Sequence, residues 1–163
     1  MAIRKHRAGE LVIEQTRDFA LVREILARGS LMSDGIEWPA ACYLVAYFGD
    51  DAVGVVGVEA KLDAALIRSL FVKTSMRRRG IGAALVAAAR KAAHTRGARH
   101  FYLLTRDAGE YFARLGFELV DVSRVMSAMA GAPQVEHYRA HPEECACEAG
   151  FHLDISGDGV IER

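Results

Sequence analysis

The sequence predicts a single α/β domain, because apolar segments of strand length alternate with helical segments along its 163 residues. A second observation is a glycine-rich turn that joins an apolar strand to an alanine-rich helix near the middle of the chain. The length suits one domain and is enough to bury a substantial core. We therefore expect one domain over residues 1–163, in which residues 131–163 are the hardest part to assign.

The first half of the chain predicts four strands and one helix. Asp18 suits the start of an amphipathic helix, and Gly29 suits its end. Residues 49–51 separate strands two and three, which predicts an antiparallel hairpin, and residues 61–63 turn the chain again. The predicted strands are 10–14, 42–48, 52–59 and 66–72.

The second half predicts a long helix, a short helix and three strands. The alanine-rich segment 83–93 has strong helix propensity, and its helix ends near Gly97. Gly116 ends the short helix, and the tail from Gly157 onward is expected to fray. In order, we predict strand 99–104, helix 107–115, strand 117–122, a helical turn at 124–129 and a last strand within 146–155.

Charge and hydropathy exclude several classes of protein. Lysine plus arginine and aspartate plus glutamate both number 21, so the chain lacks the basic excess that nucleic-acid binders usually show. The basic start at residues 1–7 is not followed by the apolar segment of a secretion signal. No stretch approaches the roughly 18 apolar residues of a membrane span. We expect a cytoplasmic protein without nucleic-acid or membrane partners, and leave a homodimer open.

The cysteines predict neither a disulfide framework nor a metal site. There are three of them, an odd number. Cys145 and Cys147 stand near His137, His141 and His152, but Cys-x-Cys is not the usual zinc spacing and the histidines lack a regular interval. We expect the two thiols to pack in the last strand and the protein to need no metal.

The turn between strand four and the long helix reads Arg77-x-x-Gly80-x-Gly82. Glycines leave the first turn of a helix without side chains, so its unpaired N–H groups and the positive end of its dipole can bind phosphate oxygens. The alternative is a tight connection into an ordinary surface helix. A P-loop pattern is absent, and Leu85 stands where a Rossmann fingerprint needs its third glycine.

In this context the turn resembles motif A of the GNAT superfamily of acetyl-CoA-dependent N-acetyltransferases. Residues 112–117, which end in Leu-Gly-Phe, resemble the motif B of that family at the usual separation. The resemblance covers about residues 11–122. It implies the GNAT fold, a mixed central sheet of about six to seven strands that is flanked by helices and splayed between strands four and five.

Three segments resemble one subgroup of that superfamily most closely. They are 54–59, 65–72 and 102–105, and the subgroup is the arsenic-resistance N-acetyltransferases, which are related to the phosphinothricin and glutamate N-acetyltransferases. The segment 140–144, before the last strand, differs from the proline-containing segment of the subgroup. The identity of the acceptor is therefore open.

The resemblance implies acetyl-CoA as the cosubstrate. The backbone N–H groups of Arg78, Gly80, Gly82 and Ala83 would hold the pyrophosphate, and strand four would bind the pantetheine. Phe71 and Val72 lie where the family polarises the thioester carbonyl. The three arginines could instead form a solvated face. The residues predicted to bind the cofactor are Phe71, Val72, Arg77, Arg78, Arg79, Gly80, Ile81, Gly82 and Ala83.

The acceptor side has four candidate residues. Strand alternation places Leu66, Arg68 and Leu70 on one face, and the preceding turn brings Glu59 opposite or diagonal to Arg68. Arg68 is then a candidate for binding an acceptor carboxylate, and Glu59 a candidate base, direct or through water. An internal ion pair is the equal alternative. Thr105 and Arg106, at the end of strand five, are weaker acceptor-site candidates.

The leaving thiolate needs a proton, for which Tyr111 is the candidate. Many members of the family place the tyrosine at the position that Phe112 occupies here. Neighbours on a helix differ by about 100° in direction, so Tyr111 could instead be a tyrosine of the core. A thiol with a pKa near 8.5 is also a tolerable leaving group without an acid.

These observations predict an acetyl-CoA-dependent N-acetyltransferase. The expected acceptor is the α-amino group of a small amino-acid-like molecule such as phosphinothricin, arsinothricin or glutamate. Two alternatives remain at this stage: a non-catalytic acyl-CoA-binding sensory module, suggested by Phe112, and an N-acetyltransferase for a protein, peptide or polyamine.

Overall fold

The computed structural model describes residues 6–159, so residues 1–5 of the basic start and the end of the predicted frayed tail lie outside the described part. Its elements, in chain order, are β1 (Leu11–Thr16), α1 (Phe19–Arg28), β2 (Ala41–Phe48), β3 (Asp51–Lys61), β4 (Ala64–Val72), a 3-10 turn (Thr74–Met76), α2 (Ile81–Thr95), β5 (His100–Thr105), α3 (Gly109–Arg114), β6 (Glu118–Val120), α4 (Val122–Ala128), α5 (Pro133–Ala140), α6 (Pro142–Cys145) and β7 (Ala149–Asp154). The predicted alternation of strands and helices is confirmed.

The strands form one seven-stranded sheet in the order β1-β2-β3-β4-β5-β7-β6. β1 to β4 pair antiparallel with one another in chain order, and the turns predicted at 49–51 and 61–63 account for the pairings of β2 with β3 and of β3 with β4. The predicted last strand is β7, and it lies between β5 and β6 rather than at the sheet edge. The C-terminal part of the chain is therefore built into the sheet.

β4 and β5 are parallel, but they pair along only part of their length. Their register joins Ala64 with His100 and ends with Ile67 beside Leu103, although β4 continues to Val72. The strands diverge beyond this point, which confirms the predicted splay. The last residues of β4 thus present backbone groups to the gap on the β5 side.

A β-bulge interrupts β4 at the start of this gap. Gly57 is paired with Arg68, whereas Val55 is paired with Phe71, so β4 has an extra residue opposite β3. Ser69 adopts a left-handed backbone conformation with φ of 57°, which is uncommon for a residue with a side chain. The bulge reverses the alternation of side chains. Leu70 consequently packs with the core on the α2 side of the sheet, and its predicted place on the face of Arg68 is wrong.

Helices cover both faces of the sheet. α2 packs on one face with the largest apolar cluster, which includes Ile67, Leu85 and Phe101. On the other face, α1 covers β2 and β3, while α4 and α5 cover β4 and β5 through a second cluster. The Asp18 side chain accepts a hydrogen bond from Leu21 N at 3.0 Å and begins α1, as predicted.

The segment between β6 and β7 differs most from the prediction. It contains α4 near the expected helical turn, but also α5 and α6, which were not predicted from the sequence. Cys145 ends α6 and Cys147 is exposed before β7, so the prediction that both thiols pack in the last strand is wrong. Pro133 and Pro142 occupy the first turns of α5 and α6, where the missing N–H of proline does no harm.

Candidate functional site

A cavity of about 470 Å³ lies between the end of β4 and the start of α2. Gly80 caps α2 with a left-handed backbone, φ 77°, and Arg78 is also left-handed, φ 62°. Such a run of left-handed and ordinary residues turns successive N–H groups toward one side. The cavity is lined by Leu70, Phe71, Val72, Met76, Arg77, Arg78, Gly80, Ile81, Gly82, Ala83, Ala108 and Tyr111.

The first turn of α2 directs backbone donors at this cavity. The N–H of Ala84 donates to Gly80 O at 3.0 Å, so the N–H groups of Ile81, Gly82 and Ala83 precede the first such bond of the helix. They lie at the positive end of a helix of 15 residues, and all three residues line the cavity. This arrangement fits an anion such as a pyrophosphate.

The three arginines of the turn have different surroundings. Arg77 donates from Nε to Val72 O at 2.9 Å, and its guanidinium carbon lies 5.8 Å from the centre of the Phe71 ring. Arg78 lines the cavity, whereas Arg79 is exposed and is not part of the lining. The structure therefore brings eight of the nine predicted cofactor residues together at one cavity, and Arg79 lies beside it.

Tyr111, rather than Phe112, lines the cavity at the start of α2. A Cβ placed on Gly82 would lie 2.8 Å from the Tyr111 hydroxyl, so the phenol reaches the first turn of α2. Phe112 is 5% exposed and packs in the core against Phe117. Burial raises the pKa of Tyr111 above the ordinary value for a phenol, so its hydroxyl keeps its proton at neutral pH. Tyr111 is partly buried against the core cluster and also lines the cavity.

A second cavity of about 270 Å³ adjoins the first and shares Leu70, Ala108 and Tyr111 with it. It occupies the gap where β4 and β5 diverge, and the segment between β6 and β7 forms its outer wall. Its polar lining residues are Arg68, Ser69, Thr105, Arg106, Tyr111, Gln134, Tyr138 and Glu148. The two cavities thus meet at Tyr111.

Glu59 and Arg68 form a buried ion pair. Arg68 Nη1 donates to Glu59 Oε2 at 3.1 Å, and the two side chains are 0% and 1% exposed. Glu59 is paired with Leu66, which makes its position diagonal to Arg68, as predicted. The other carboxylate oxygen of Glu59 accepts from Gln134 N at 3.2 Å. Both oxygens are thus occupied inside the protein, and burial raises the pKa of Glu59 against the pull of Arg68.

Arg68 has little free capacity for a ligand. Besides Glu59, its guanidinium donates to Ser69 Oγ at 3.0 Å, to Asp34 O at 2.9 Å and to Met32 O at 3.3 Å. A guanidinium has five N–H donors, so one remains beyond these bonds to described residues. The internal ion pair that the sequence left as an alternative is present.

Thr105 and Arg106 both line the second cavity. Thr105 Oγ1 accepts a hydrogen bond from Ala108 N at 3.1 Å, so this side chain holds the turn before α3. Arg106 is exposed and contributes positive charge near Glu144 and Glu148. Of the two cavity-lining arginines, Arg106 is the more accessible.

Three residues of the second cavity were not anticipated from the sequence. Gln134 and Tyr138 lie on α5, and Glu148 directly precedes β7. None belongs to a motif, and they lie 66 to 80 residues beyond Arg68 in the chain. Their only sequence signal is polarity within a segment whose helices were not predicted.

Among residues 6–159, no three His, Cys, Asp or Glu side chains lie together in a way that would hold a metal ion. Within the same residues, no helix combines the length and the apolar character needed to cross a lipid bilayer.

Residues 39–119 match the family model of the acetyltransferase (GNAT) domain. Several solved structures have a similar fold. The Mycobacterium tuberculosis protein Rv2747, solved with CoA and a second ligand, has a TM-score of 0.69 at 20% identity, over 88% of this chain and 99% of its own. A Bacillus subtilis acetyltransferase in complex with CoA has a TM-score of 0.64 at 19% identity, over 90% of this chain and 99% of its own.

N-acetylglutamate synthase from Neisseria gonorrhoeae, complexed with coenzyme A and L-arginine, has a TM-score of 0.69 at 17% identity. The match covers 92% of this chain but only 34% of the synthase. At such identities the likeness is one of fold. No curated protein matches the chain in sequence.

Proposed function

We propose that the protein is an N-acetyltransferase, because residues 39–119 match the family model of the acetyltransferase (GNAT) domain, and that it acetylates the α-amino group of a small amino-acid-like acceptor. The observation that carries this proposal is the meeting of two different cavities at Tyr111. One is walled by backbone donors at a helix start, and the other is small and lined by charged side chains.

We propose that acetyl-CoA occupies the larger cavity. Its pyrophosphate would accept hydrogen bonds from the N–H groups of Ile81, Gly82 and Ala83, with Arg78 alongside. The pantetheine would extend along the unpaired side of β4, and a backbone N–H near Phe71 and Val72 would polarise the thioester carbonyl. One well-placed donor of this kind contributes about 3 to 4 kcal/mol in other enzymes. The cytoplasm, where acetyl-CoA is supplied, is the implied compartment.

Tyr111 is placed to protonate the leaving thiolate. It lines both cavities, so it stands where the thioester and the acceptor would meet. Because its pKa is raised, the hydroxyl is protonated at neutral pH and has a proton to donate when the thiolate forms. This placement argues against the sensory-module alternative, which rested on the absence of a phenol at Phe112.

The acceptor proposal rests on the size and charge of the second cavity. A volume of about 270 Å³ suits a molecule of amino-acid size. Arg106 offers an accessible guanidinium for a carboxylate, phosphinate or arsinate, and the spare N–H of Arg68 adds a second donor. Glutamate, phosphinothricin and arsinothricin carry such groups, and a structural neighbour is an N-acetylglutamate synthase. A base role for Glu59 would require a water relay around Arg68.

A second candidate acceptor is a polyamine. Glu144 and Glu148 lie near Arg106, so the mouth of the cavity also carries negative charge. A polyamine would be attracted by these carboxylates and repelled by Arg106. Arg106 would therefore favour the binding of an anionic amino acid and disfavour the binding of a polyamine.

The test is the release of CoA thiol from acetyl-CoA with phosphinothricin, arsinothricin, glutamate, methionine and spermidine measured side by side. The proposal predicts turnover with the anionic amino acids, and a KM for them that rises at least about tenfold in Arg106→Ala. Turnover with spermidine alone would select the polyamine. Binding of acetyl-CoA without transfer to any of the five acceptors would contradict the proposed function.

A further inference from the structure

Residues 122–148, here called the helical segment, form one wall of the proposed acceptor cavity. Tyr138 and Glu148 lie on that wall. Tyr138 lies on α5 and Glu148 between α6 and β7. The same cavity is lined by Leu70 and Tyr111, which also line the proposed acetyl-CoA cavity. A carboxylate on this wall therefore shares one space with the proposed position of the thioester.

The surroundings of Glu148 suit a carboxylate that exchanges a proton. Burial raises the pKa of Glu148, while the Tyr138 hydroxyl, which donates a hydrogen bond to it, and Arg106 lower it. Asp107 and Glu144 add negative charge that favours the protonated form, and Cys145 lies close enough for its own pKa to be raised by Glu148.

Tyr138 remains a hydrogen-bond donor throughout the neutral range. Burial and the charge of Glu148 raise the pKa of Tyr138 to about 12. The phenol is therefore protonated whenever Glu148 changes its charge. Its hydrogen bond can hold the carboxylate in one orientation without competing for the proton.

Gln134 adds an independent observation. It lines the same cavity, is 9% exposed, and its side-chain oxygen is buried without a hydrogen-bond partner among the described residues. A buried amide oxygen without a donor costs about 1 to 3 kcal/mol, so a ligand with N–H groups is favoured beside it. Gln134, Tyr138 and Glu148 together offer several oxygen acceptors, as an ammonium group with three N–H donors requires.

We propose that Glu148 receives the ammonium group of the acceptor and takes its proton, with Tyr138 as a positioning residue. This inference rests on the proposed function and names the residue that prepares the amine. Glu59 is poorly suited to the task, because Arg68 and Gln134 N occupy its two oxygens. In this proposal the base comes from the helical segment rather than from β3, which carries Glu59.

The proton balance of the transfer is complete with these groups. The ammonium gives one proton to Glu148, and the nitrogen lone pair then forms a bond to the carbonyl carbon of the thioester. As the C–S bond breaks, the thiolate takes the Tyr111 proton. The new amide nitrogen loses its second proton, which returns to Tyr111 through water, while Glu148 releases the first to solvent. Ammonium and acetyl-CoA become amide, CoA thiol and one free proton.

The direct test is calorimetric titration of L-glutamate and L-phosphinothricin into protein saturated with CoA. We expect Glu148→Gln to weaken the binding of the better ligand at least about tenfold, because a charge-assisted hydrogen bond is lost. Glutarate, which lacks the amine, should bind wild type and variant equally. Glu143→Gln, a change of an exposed neighbour on α6, should alter neither titration. Unchanged CoA affinity verifies that each variant is folded.

Turnover separates a base from a simple binding residue. In wild type, kcat/KM should fall as the pH drops through a pKa above the ordinary carboxyl range, since Glu148 must be ionised to accept the proton. Glu148→Gln should remove this limb and lower kcat/KM roughly a hundredfold. Tyr138→Phe should retain the limb but move it to higher pH, because the hydrogen bond that lowers the pKa of Glu148 is gone.

The outcomes distinguish this inference from the proposed function. Wild type that binds neither amino acid, or binding that Glu148→Gln leaves unchanged, would overturn the amine site. Glu148-dependent binding without any CoA release would refute acetyl transfer and leave the amine site standing. CoA release with the same pH profile in wild type and Glu148→Gln would refute the base and leave the acetyltransferase function standing.

Discussion

The two sides of the cleft are built in different ways. The cofactor side comes mostly from one continuous stretch, residues 70–83, which includes the backbone donors at the start of α2. The acceptor side consists of side chains from β4, the end of β5, α3, α5 and the residue before β7. Both sides meet at Tyr111. The cofactor side is formed by residues close together in the sequence, whereas the acceptor side is formed by residues that only the tertiary fold brings together.

This difference has a physical basis. Every acetyl-CoA molecule carries the same pyrophosphate, and backbone N–H groups at a helix start can bind it when glycines clear the approach. Acceptors differ in shape and charge, so they are distinguished by side chains that the fold brings together from distant segments. A pyrophosphate site therefore requires certain residues at a fixed spacing in the sequence. An acceptor site requires only that its side chains lie close together in the folded protein.

The largest expected effect concerns the buried pair on the acceptor side. Arg68→Met leaves the Glu59 carboxylate without its partner, so the free energy of unfolding should fall by about 3 to 5 kcal/mol in urea titrations. Glu59→Met combined with Arg68→Met should restore much of that loss. The exposed pair of Arg23 and Glu37 provides the control, since Arg23→Met should cost no more than about 1 kcal/mol. If Arg68→Met lowered the free energy of unfolding no more than Arg23→Met does, Arg68 would not be held by the ion pair and would be free to bind the acceptor.

The next effect concerns the cofactor side. Gly82→Val places a branched side chain where a Cβ alone would lie 2.8 Å from the Tyr111 hydroxyl, and it also fills the approach to the helix start. Affinity for acetyl-CoA, measured by calorimetry, should fall at least about a hundredfold, or about 2.8 kcal/mol. Gly157→Ala is the matched control, because nothing lies within 4 Å of a Cβ there. Unchanged affinity in Gly82→Val would refute the phosphate-binding assignment.

A smaller effect is expected where the two sides meet. Tyr111→Phe removes the proton donor for a leaving group that tolerates its absence, so kcat should fall roughly tenfold with little change in KM for acetyl-CoA. A phenol that donates its proton must be protonated, and the pKa of Tyr111 is raised. Wild-type kcat should therefore fall only as the pH rises above the ordinary pKa range of a phenol, and Tyr111→Phe should lack this decline. A variant with wild-type kcat at every pH would make Tyr111 structural.

The smallest effect separates neighbouring arginines of the turn. Arg78 lines the cofactor cavity and Arg79 does not, so Arg78→Gln should weaken CoA binding roughly fivefold while Arg79→Gln changes it less than twofold. The difference should shrink at high salt, because both side chains are exposed. Equal losses would mean that the turn acts through its overall charge rather than through position.

The structure shows which parts of the molecule a sequence can reveal. The strands, the hairpin and the glycine turn follow from local patterns, and the structure places them as predicted. The diagonal relation of Glu59 and Arg68 also follows, since it depends only on a two-residue turn after Lys61. These features share one property, namely that the interactions that define them act over short stretches of chain.

The failures have the opposite character. The bulge at Ser69 shifts the alternation of β4 by one residue, and no turn residue marks it in the sequence. α5 and α6 are short helices that depend on packing against β4 and β5. The sequence left open whether Tyr111 reaches the cofactor cavity, because the orientation of α3 decides which of the two neighbouring aromatic rings lies at the start of α2. Glu148 has no local signal in the sequence, and the role proposed for it depends on the helical segment that brings it to the cavity.

A crystal structure with CoA and L-phosphinothricin bound tests the central claim most directly. The account predicts the pyrophosphate within hydrogen-bond distance of the N–H groups of Gly82 and Ala83, and the amine beside Glu148 and Tyr138. The acidic group of the ligand should lie toward Arg106. An amine bound by Glu59, or a pyrophosphate away from the start of α2, would contradict the division of the cleft into a backbone-built cofactor side and a side-chain-built acceptor side.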